Sequence, residues 1–337
     1  MNWFEQLMGF REVEYNDTRS KLAVHGTQLH SLVNGKSYGI GTLELVSLED
    51  LRDRAALGSR LPGRLKVSLT RGDVRAMHQL PESSGALFQV ASQFNLLEMV
   101  GPSVTPEDGV TRYSGDPTQG PACAIAAGAA TIYRNYFAKG DGYEGQTKDR
   151  QLDGLEDLGM ALAGALGQSV DSLWSMQNGY ALCSVDGLKA ISRHLESLNQ
   201  DELSVLGGKL RIGVHRDVEV TDPSALNRQT VSQAFCSALP VAYSTILAIH
   251  WKSFASLILQ AAYEATIWAA VLNAERSASN IVFLTRLGGG AFGNDEDWIH
   301  TAIRKALEKV QGANLDVRLV SYSAPNQVLI RLIQDFE

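Results

Sequence analysis

The sequence predicts an α/β sandwich, and three observations predict it. Short apolar runs of strand character alternate with helical patterns along most of the chain. The run 280-NIVFL-284 ends in a glycine-rich loop and then restarts at once as a helix. The composition, 45% hydrophobic and 20% charged over 337 residues, is that of a globular chain with one large domain or two moderate ones.

In chain order, residues 1–60 carry two strand-like pieces, 22-LAVHGTQLHSLV-33 and 37-SYGIGTLELV-46. The turn signal 34-NGK-36 joins them into an expected hairpin, and the helical stretch 48-LEDLRDRAAL-57 follows. This part is expected to be an appended extension without chemistry of its own. A strand then runs through 64-RLKVSLTRGDV-74 and ends at Gly72-Asp73, and a second, 86-ALFQVASQFNLL-97, succeeds it. In 116-DPTQGPACAIAAGAATIYRNYF-137, Pro121 stands where a first helical residue belongs, and the Ala and Gly run implies close packing. Residues 138–230 are more polar and glycine-interrupted, with helical stretches at 151–166 and 185–198, and are expected to be a helical insertion. Strand 231–244, helix 253–275, strand 280–284, helix 295–311, strand 314–322 and a tail over 325–337 complete the chain.

The stretch 285-TRLGGGAFGNDEDW-298 raises the functional question. A glycine triplet loses backbone entropy on folding and fills no core. It makes sense where a loop needs φ > 0 or close approach to its amides. Asn294 or Asp295 then offers an N-cap, with Glu296 and Asp297 in the first turn. Strand, glycine loop and helix N-terminus together make a phosphate site. The spacing is neither that of a Walker A loop nor that of GxGxxG. The plain alternative is a tight strand-to-helix turn.

A formal net charge of -7 argues against a general nucleic-acid or anionic-membrane binder. It leaves room for a small anion held by backbone amides. Cys123, Cys183 and Cys236 are too widely spaced for a disulfide framework or a metal site, so a reducing, cytoplasmic setting is expected. The N-terminus shows no signal-peptide pattern. Pro240, His250, Lys252 and Glu264 interrupt the apolar stretch from Ala234 to Leu272, which reads as a buried strand and helix rather than a membrane span.

The order of elements resembles the macrodomain family, the ADP-ribose-binding α/β/α fold. The resemblance rests on 68-SLTRGDV-74 for the opening strand and "GDI" turn, on 89-QVASQFN-95 where the family writes "VNAAN", and on the closing helix, strand, GGGAFGN loop, helix and strand. The GAFGN ending is similar to the poly(ADP-ribose) glycohydrolase branch. It covers residues 64–324, broken by the insertion near 138–230. The fold it implies is a three-layer α/β/α sandwich with a mixed sheet.

The same resemblance implies site residues. Asp73, followed by Val74, would accept a hydrogen bond from the adenine amine, since a carboxylate accepts where that amine donates. Asn95 or Gln93 would meet the distal ribose. Gly288, Gly289, Gly290, Ala291, Phe292, Gly293 and Asn294 would wrap a diphosphate, with Phe292 over the ribose. Thr118, Gln119 and Gly120 stand in place of the first glycine loop. The branch cuts with adjacent glutamates after that loop, and none follows TQGP here. The acids left near the site are Glu98 and Asp116, which with Asn95 are the candidates for catalysis at C1″. An ADP-ribosyl hydrolase acting on ADP-ribose or an ADP-ribosylated substrate is expected, without cofactor or metal. A reader of ADP-ribose without turnover is the alternative. The missing acidic pair favours the reader, and the large insertion, as a lid, favours the enzyme.

Overall fold

Seven strands form the central sheet of this computed structural model, in the order Thr42–Ser47, Arg211–Glu219, Thr230–Cys236, Leu87–Ala91, Ile281–Leu284, Asp316–Ser321, Lys66–Arg71. The structure describes residues 1–58, 62–222, 228–322 and 327–336. Residues 59 and 60 of the expected extension, 223–227 of the expected insertion, 323 and 324 of the expected domain, and 325, 326 and 337 of the expected tail lie outside the described residues.

Strands Thr230–Cys236 through Lys66–Arg71 pair in parallel, and the two strands at the other edge are antiparallel. The sheet is therefore mixed. A parallel sheet needs cover on both faces, and the strand sequences provide for it. Val282 and Leu284 enter one apolar layer and Phe283 the other. Ala234 and Cys236 likewise oppose Val231 and Phe235. The first layer holds helices Leu48–Leu57, Val185–Ser197, Ala248–Glu275 and Glu296–Glu308. The second holds Val74–Met77, Gln119–Ala126 and Gly128–Tyr136. This is the α/β/α sandwich with a mixed sheet that the sequence predicts.

Helix Ala248–Glu275 has 28 residues and is apolar enough to cross a membrane by length and composition. Most of its apolar length is buried inside the fold, where Trp251, Phe254, Ile258 and Tyr263 are core residues.

Three boundaries differ from expectation. The 1–60 segment is not wholly appended. Leu22–His25, Gln28–Ser31 and Ser37–Gly39 make a small separate sheet, whereas Thr42–Ser47 is the edge strand of the main one. It pairs with Arg211–Glu219 from Arg211 against Ser47 to Arg216 against Thr42. Its alternation explains this, because Val46 reaches one apolar layer while Leu43 and Leu45 pack on the other. The 138–230 segment is likewise more than a helical insertion, since Arg211–Glu219 belongs to the sheet and Trp174–Gln177 pairs with Tyr180–Cys183 as a hairpin. The single helix expected over 121–137 is two, Gln119–Ala126 and Gly128–Tyr136, broken at Ala127 with φ -116° and ψ 55°. Pro121 is its third residue rather than its first.

Candidate functional site

The carboxyl ends of three neighbouring parallel strands, Leu87–Ala91, Thr230–Cys236 and Ile281–Leu284, open on one cleft of about 370 Å³. Ligands of open α/β sheets bind at such ends, where successive connections leave the sheet.

The loop after Leu87–Ala91 builds the floor. The Gln93 side chain accepts the Met99 amide at 2.8 Å and donates to the Met99 carbonyl at 3.1 Å. Asn95 accepts the Leu97 amide at 3.0 Å and donates to Gln151 at 2.8 Å. Between them Leu96 takes φ 65°, an uncommon angle for a non-glycine residue, and its buried side chain sits against Gly213, which has no Cβ to obstruct it. These bonds over-determine a strained turn, the condition under which strain of order 1–3 kcal/mol persists. The outcome is that Glu98 borders the cleft while only 2% exposed.

Behind Glu98 lies Arg134, itself fully buried, with Nη2 at 3.2 and 3.3 Å from the two carboxylate oxygens. The guanidinium also donates to the Leu96 carbonyl and to Thr131, and its carbon lies 3.8 Å over the Phe235 ring. The Glu98 amide donates to the Tyr113 hydroxyl at 3.0 Å. Burial pushes the Glu98 carboxyl up to about 7, against the opposing pull of Arg134 and Tyr113.

One wall is the start of helix Gln119–Ala126. Gln119 ties it to the sheet, accepting the Ala91 amide at 2.9 Å and donating to the Gln89 carbonyl at 2.8 Å. A Cβ on Gly120 would lie 2.0 Å from the Ala91 carbonyl oxygen and 3.1 Å from Cγ of Glu98. Gly120 is thus required by protein packing on the strand end. Asp116 accepts the Thr118 amide at 2.9 Å in a local turn. Among the described residues the amides of Gln119 and Gly120 have no acceptor, as expected at a helix start.

The glycine-rich loop also borders the cleft. Its entry is fixed by Gln89, which accepts the Thr285 amide at 3.3 Å, and by Tyr263. Gly288 has φ 74°, and its carbonyl accepts the Asn294 amide at 2.9 Å. Asn294 is buried and donates to the Leu239 carbonyl at 2.8 Å, while Asp295 provides the helix cap. Asn294 and Gly293 therefore close the loop on the protein, with the Gly293 Cα facing Ala242. Gly289 faces Ile299. Gly290 alone of the triplet has open space where a Cβ would stand. The amides of Gly290, Ala291 and Phe292 donate to nothing among the described residues.

An aromatic cluster lines the same cleft. Phe292 lies 5.3 Å from Tyr180 and 5.6 Å from Tyr243, ring to ring, and the two tyrosines are 5.2 Å apart. Tyr180 donates to the Met99 carbonyl at 2.7 Å, so the hairpin from the 138–230 segment is fastened to the floor loop.

The structure therefore brings together Gln93, Glu98, Asp116, Thr118, Gln119, Gly120, Gly288, Gly290, Ala291 and Phe292 around one cleft. It does not bring Asn95 there. Its amide bonds to Gln151 and to the Leu97 backbone, and Asn95 is not among the residues lining the cleft, so its position does not support the ribose and catalytic roles expected of it. Val74 is a core residue, and Asp73 caps helix Val74–Met77 by accepting the Arg75 amide at 2.9 Å, outside the cleft lining. Sequence reasoning missed Tyr180, Tyr243, Tyr113 and Arg134. Only Tyr180 carried a local signal. It follows the hairpin turn Asn178-Gly179, both at φ > 0, in an alternating stretch.

No protein-family model matches the chain, and no curated protein matches it. Solved structures that it resembles include poly(ADP-ribose) glycohydrolase from Deinococcus radiodurans in complex with ADP-ribose. That overlap has a TM-score of 0.45 at 15% identity and covers 87% of this chain and 92% of that one. The glycohydrolase from Thermomonospora curvata bound to the inhibitor ADP-HPD overlaps with a TM-score of 0.40 at 12% identity, covering 94% and 92%. Another structure of the Thermomonospora curvata enzyme gives 0.42 at 13%, covering 94% and 93%. Neither identity nor overlap at these values assigns the chain to a family.

Proposed function

We propose that the cleft binds ADP-ribose, or a molecule that carries it, and that the chain hydrolyses an ADP-ribosyl linkage there. The observation that carries this reading is one cleft bordered by two sets of backbone amides without an acceptor among the described residues, at Gln119–Gly120 and at Gly290–Phe292, with a buried carboxylate at its floor. Amides so arranged hold a diphosphate without lysine, which suits a chain of net charge -7. Phe292 and its tyrosine neighbours supply an apolar face for a ribose. Asp73 would meet the adenine amine, because its second carboxylate oxygen takes no hydrogen bond among the described residues and its helix packs on Gln119–Ala126.

Hydrolysis at C1″ needs stabilisation of an oxocarbenium-like state and a group that handles a proton. Glu98 and Asp116 are the carboxyls bordering the cleft. A reader without turnover is the second reading, favoured by Glu98 standing alone at the floor with no neighbouring glutamate in sequence. Calorimetry with ADP-ribose, ADP and NAD tests binding. Incubation with ADP-ribosylated protein and with O-linked ADP-ribose esters then separates the two readings. Absence of ADP-ribose affinity at millimolar concentration would overturn both.

A further inference from the structure

The geometry points to Arg134 as the positioning residue of the cleft carboxylate. It favours the ionised form of Glu98 against the pull of burial, so that the carboxylate takes a proton from the attacking water rather than giving one to the leaving group. This inference rests on the hydrolysis proposed above.

Arg134 reaches both oxygens of Glu98 with one nitrogen, at 3.2 and 3.3 Å, and both side chains are out of solvent. Its plane is pinned from three other directions, by the Leu96 carbonyl, by Thr131 and by the Phe235 ring. Its remaining nitrogen, Nη1, is buried and has no partner among the described residues. A buried ion pair is a poor device for stability, since apolar residues of similar volume usually serve as well. This one lies where its carboxylate borders the cleft, reached through a strained turn at Leu96. The expense is intelligible if a charge is needed at that point.

Among the described residues the other cation bordering the cleft is Arg286, which pairs with Glu296 at 2.5 Å. Tyr113, from the turn Thr111–Gly115, and Cys123, from helix Gln119–Ala126, are both buried and pushed up by burial, so they are neutral. Asp116 borders the same cleft and Glu12 lies beyond Tyr113. His215, which feels the charge of Arg134, is pushed down to about 3 chiefly by burial and is neutral too. Arg134 is therefore the cation that opposes burial at Glu98.

A water oxygen bonds to C1″ as the C1″–leaving-group bond breaks and its electron pair departs with the leaving atom. One water proton passes to Glu98, and the leaving atom takes a proton from solvent. Glu98 returns its proton to solvent before the next turnover.

The test is an infrared titration of the carboxyl band, wild type minus Glu98→Gln, alongside the pH dependence of kcat/KM on an ADP-ribosylated substrate. Wild-type Glu98 is expected to be ionised at about pH 8, with kcat/KM rising along the same titration. In Arg134→Met the infrared midpoint and the rising limb should both move up by about one pH unit or more, the scale of losing an opposite charge at contact distance. Arg134→Lys, which keeps the charge, should restore most of the shift. A wild-type carboxyl still protonated at about pH 8 overturns the inference even if Arg134→Met does not fold. So does a midpoint unmoved in Arg134→Met, or an activity loss uniform across pH. Absent turnover in wild type with the infrared shift intact would instead overturn the hydrolase reading and leave Arg134 as the group that fixes the Glu98 charge.

Discussion

The Tyr263 hydroxyl donates to the Thr285 carbonyl at 2.7 Å and accepts the Leu287 amide at 2.8 Å. A side chain of the long core helix thus replaces the strand partner that Ile281–Leu284 loses where it enters the glycine-rich loop. Tyr263→Phe should leave a part-buried carbonyl and a buried amide unpaired, at about 1–3 kcal/mol of stability. ADP-ribose affinity should fall as well, because the loop loses its anchored start. Denaturant unfolding and calorimetry on the one variant check both, and unchanged affinity would mean that the loop is positioned without Tyr263.

The three glycines of the triplet are not equivalent. Gly290 faces open space at an ordinary φ, so Gly290→Val should change stability by no more than about 0.5 kcal/mol while removing ligand binding. Gly288 has φ 74° and would set a Cβ 2.5 Å from that of Ala238. Gly288→Val should therefore lose about 1–3 kcal/mol from backbone strain alone. Melting and binding measured on the pair decide the matter. Normal binding in Gly290→Val would reduce the loop to a turn.

Asp73→Ala tests how far the ligand extends. With adenine on the free carboxylate oxygen, ADP-ribose binding should weaken by about 1–3 kcal/mol, while affinity for ribose 5-phosphate stays as it was. Helix Val74–Met77 also loses its cap, so stability should drop by about 0.5–2 kcal/mol. An unaltered affinity for ADP-ribose would place adenine away from Asp73.

Two buried groups give the stability–pH curve opposite slopes. Burial raises Glu98 from 4.5 to about 7, so its contribution is whole below the unfolded value and is lost as pH rises through the folded one. Burial lowers His215 from 6.5 to about 3, so its contribution is whole above 6.5 and is lost as pH falls toward the folded value. Unfolding free energies between about pH 4 and pH 8 should show Glu98→Gln gaining on wild type as pH rises, and His215→Phe gaining as pH falls. A wild-type–variant difference independent of pH would refute the assignment of that slope.

The α/β class, the strand–loop–helix run from Ile281 to Glu308 and the last strand, Asp316–Ser321, are legible in the sequence. Each is decided locally, by apolar period, by a cap at Asp295 and by glycines that no helix or strand would use. The sequence also marked Glu98 and the Gly290–Phe292 stretch as candidates, and these do meet at one cleft. That Thr42–Ser47 joins Arg211–Glu219 is visible only in the folded structure, because an alternating strand suits any edge that covers both its faces. Only there is Asn95 turned inward to Gln151 and Arg134 set behind Glu98. An amide or a guanidinium has the same pattern in sequence whether it meets ligand, solvent or a distant carboxylate. Its role is fixed when non-local packing removes water and leaves one partner within hydrogen-bond reach.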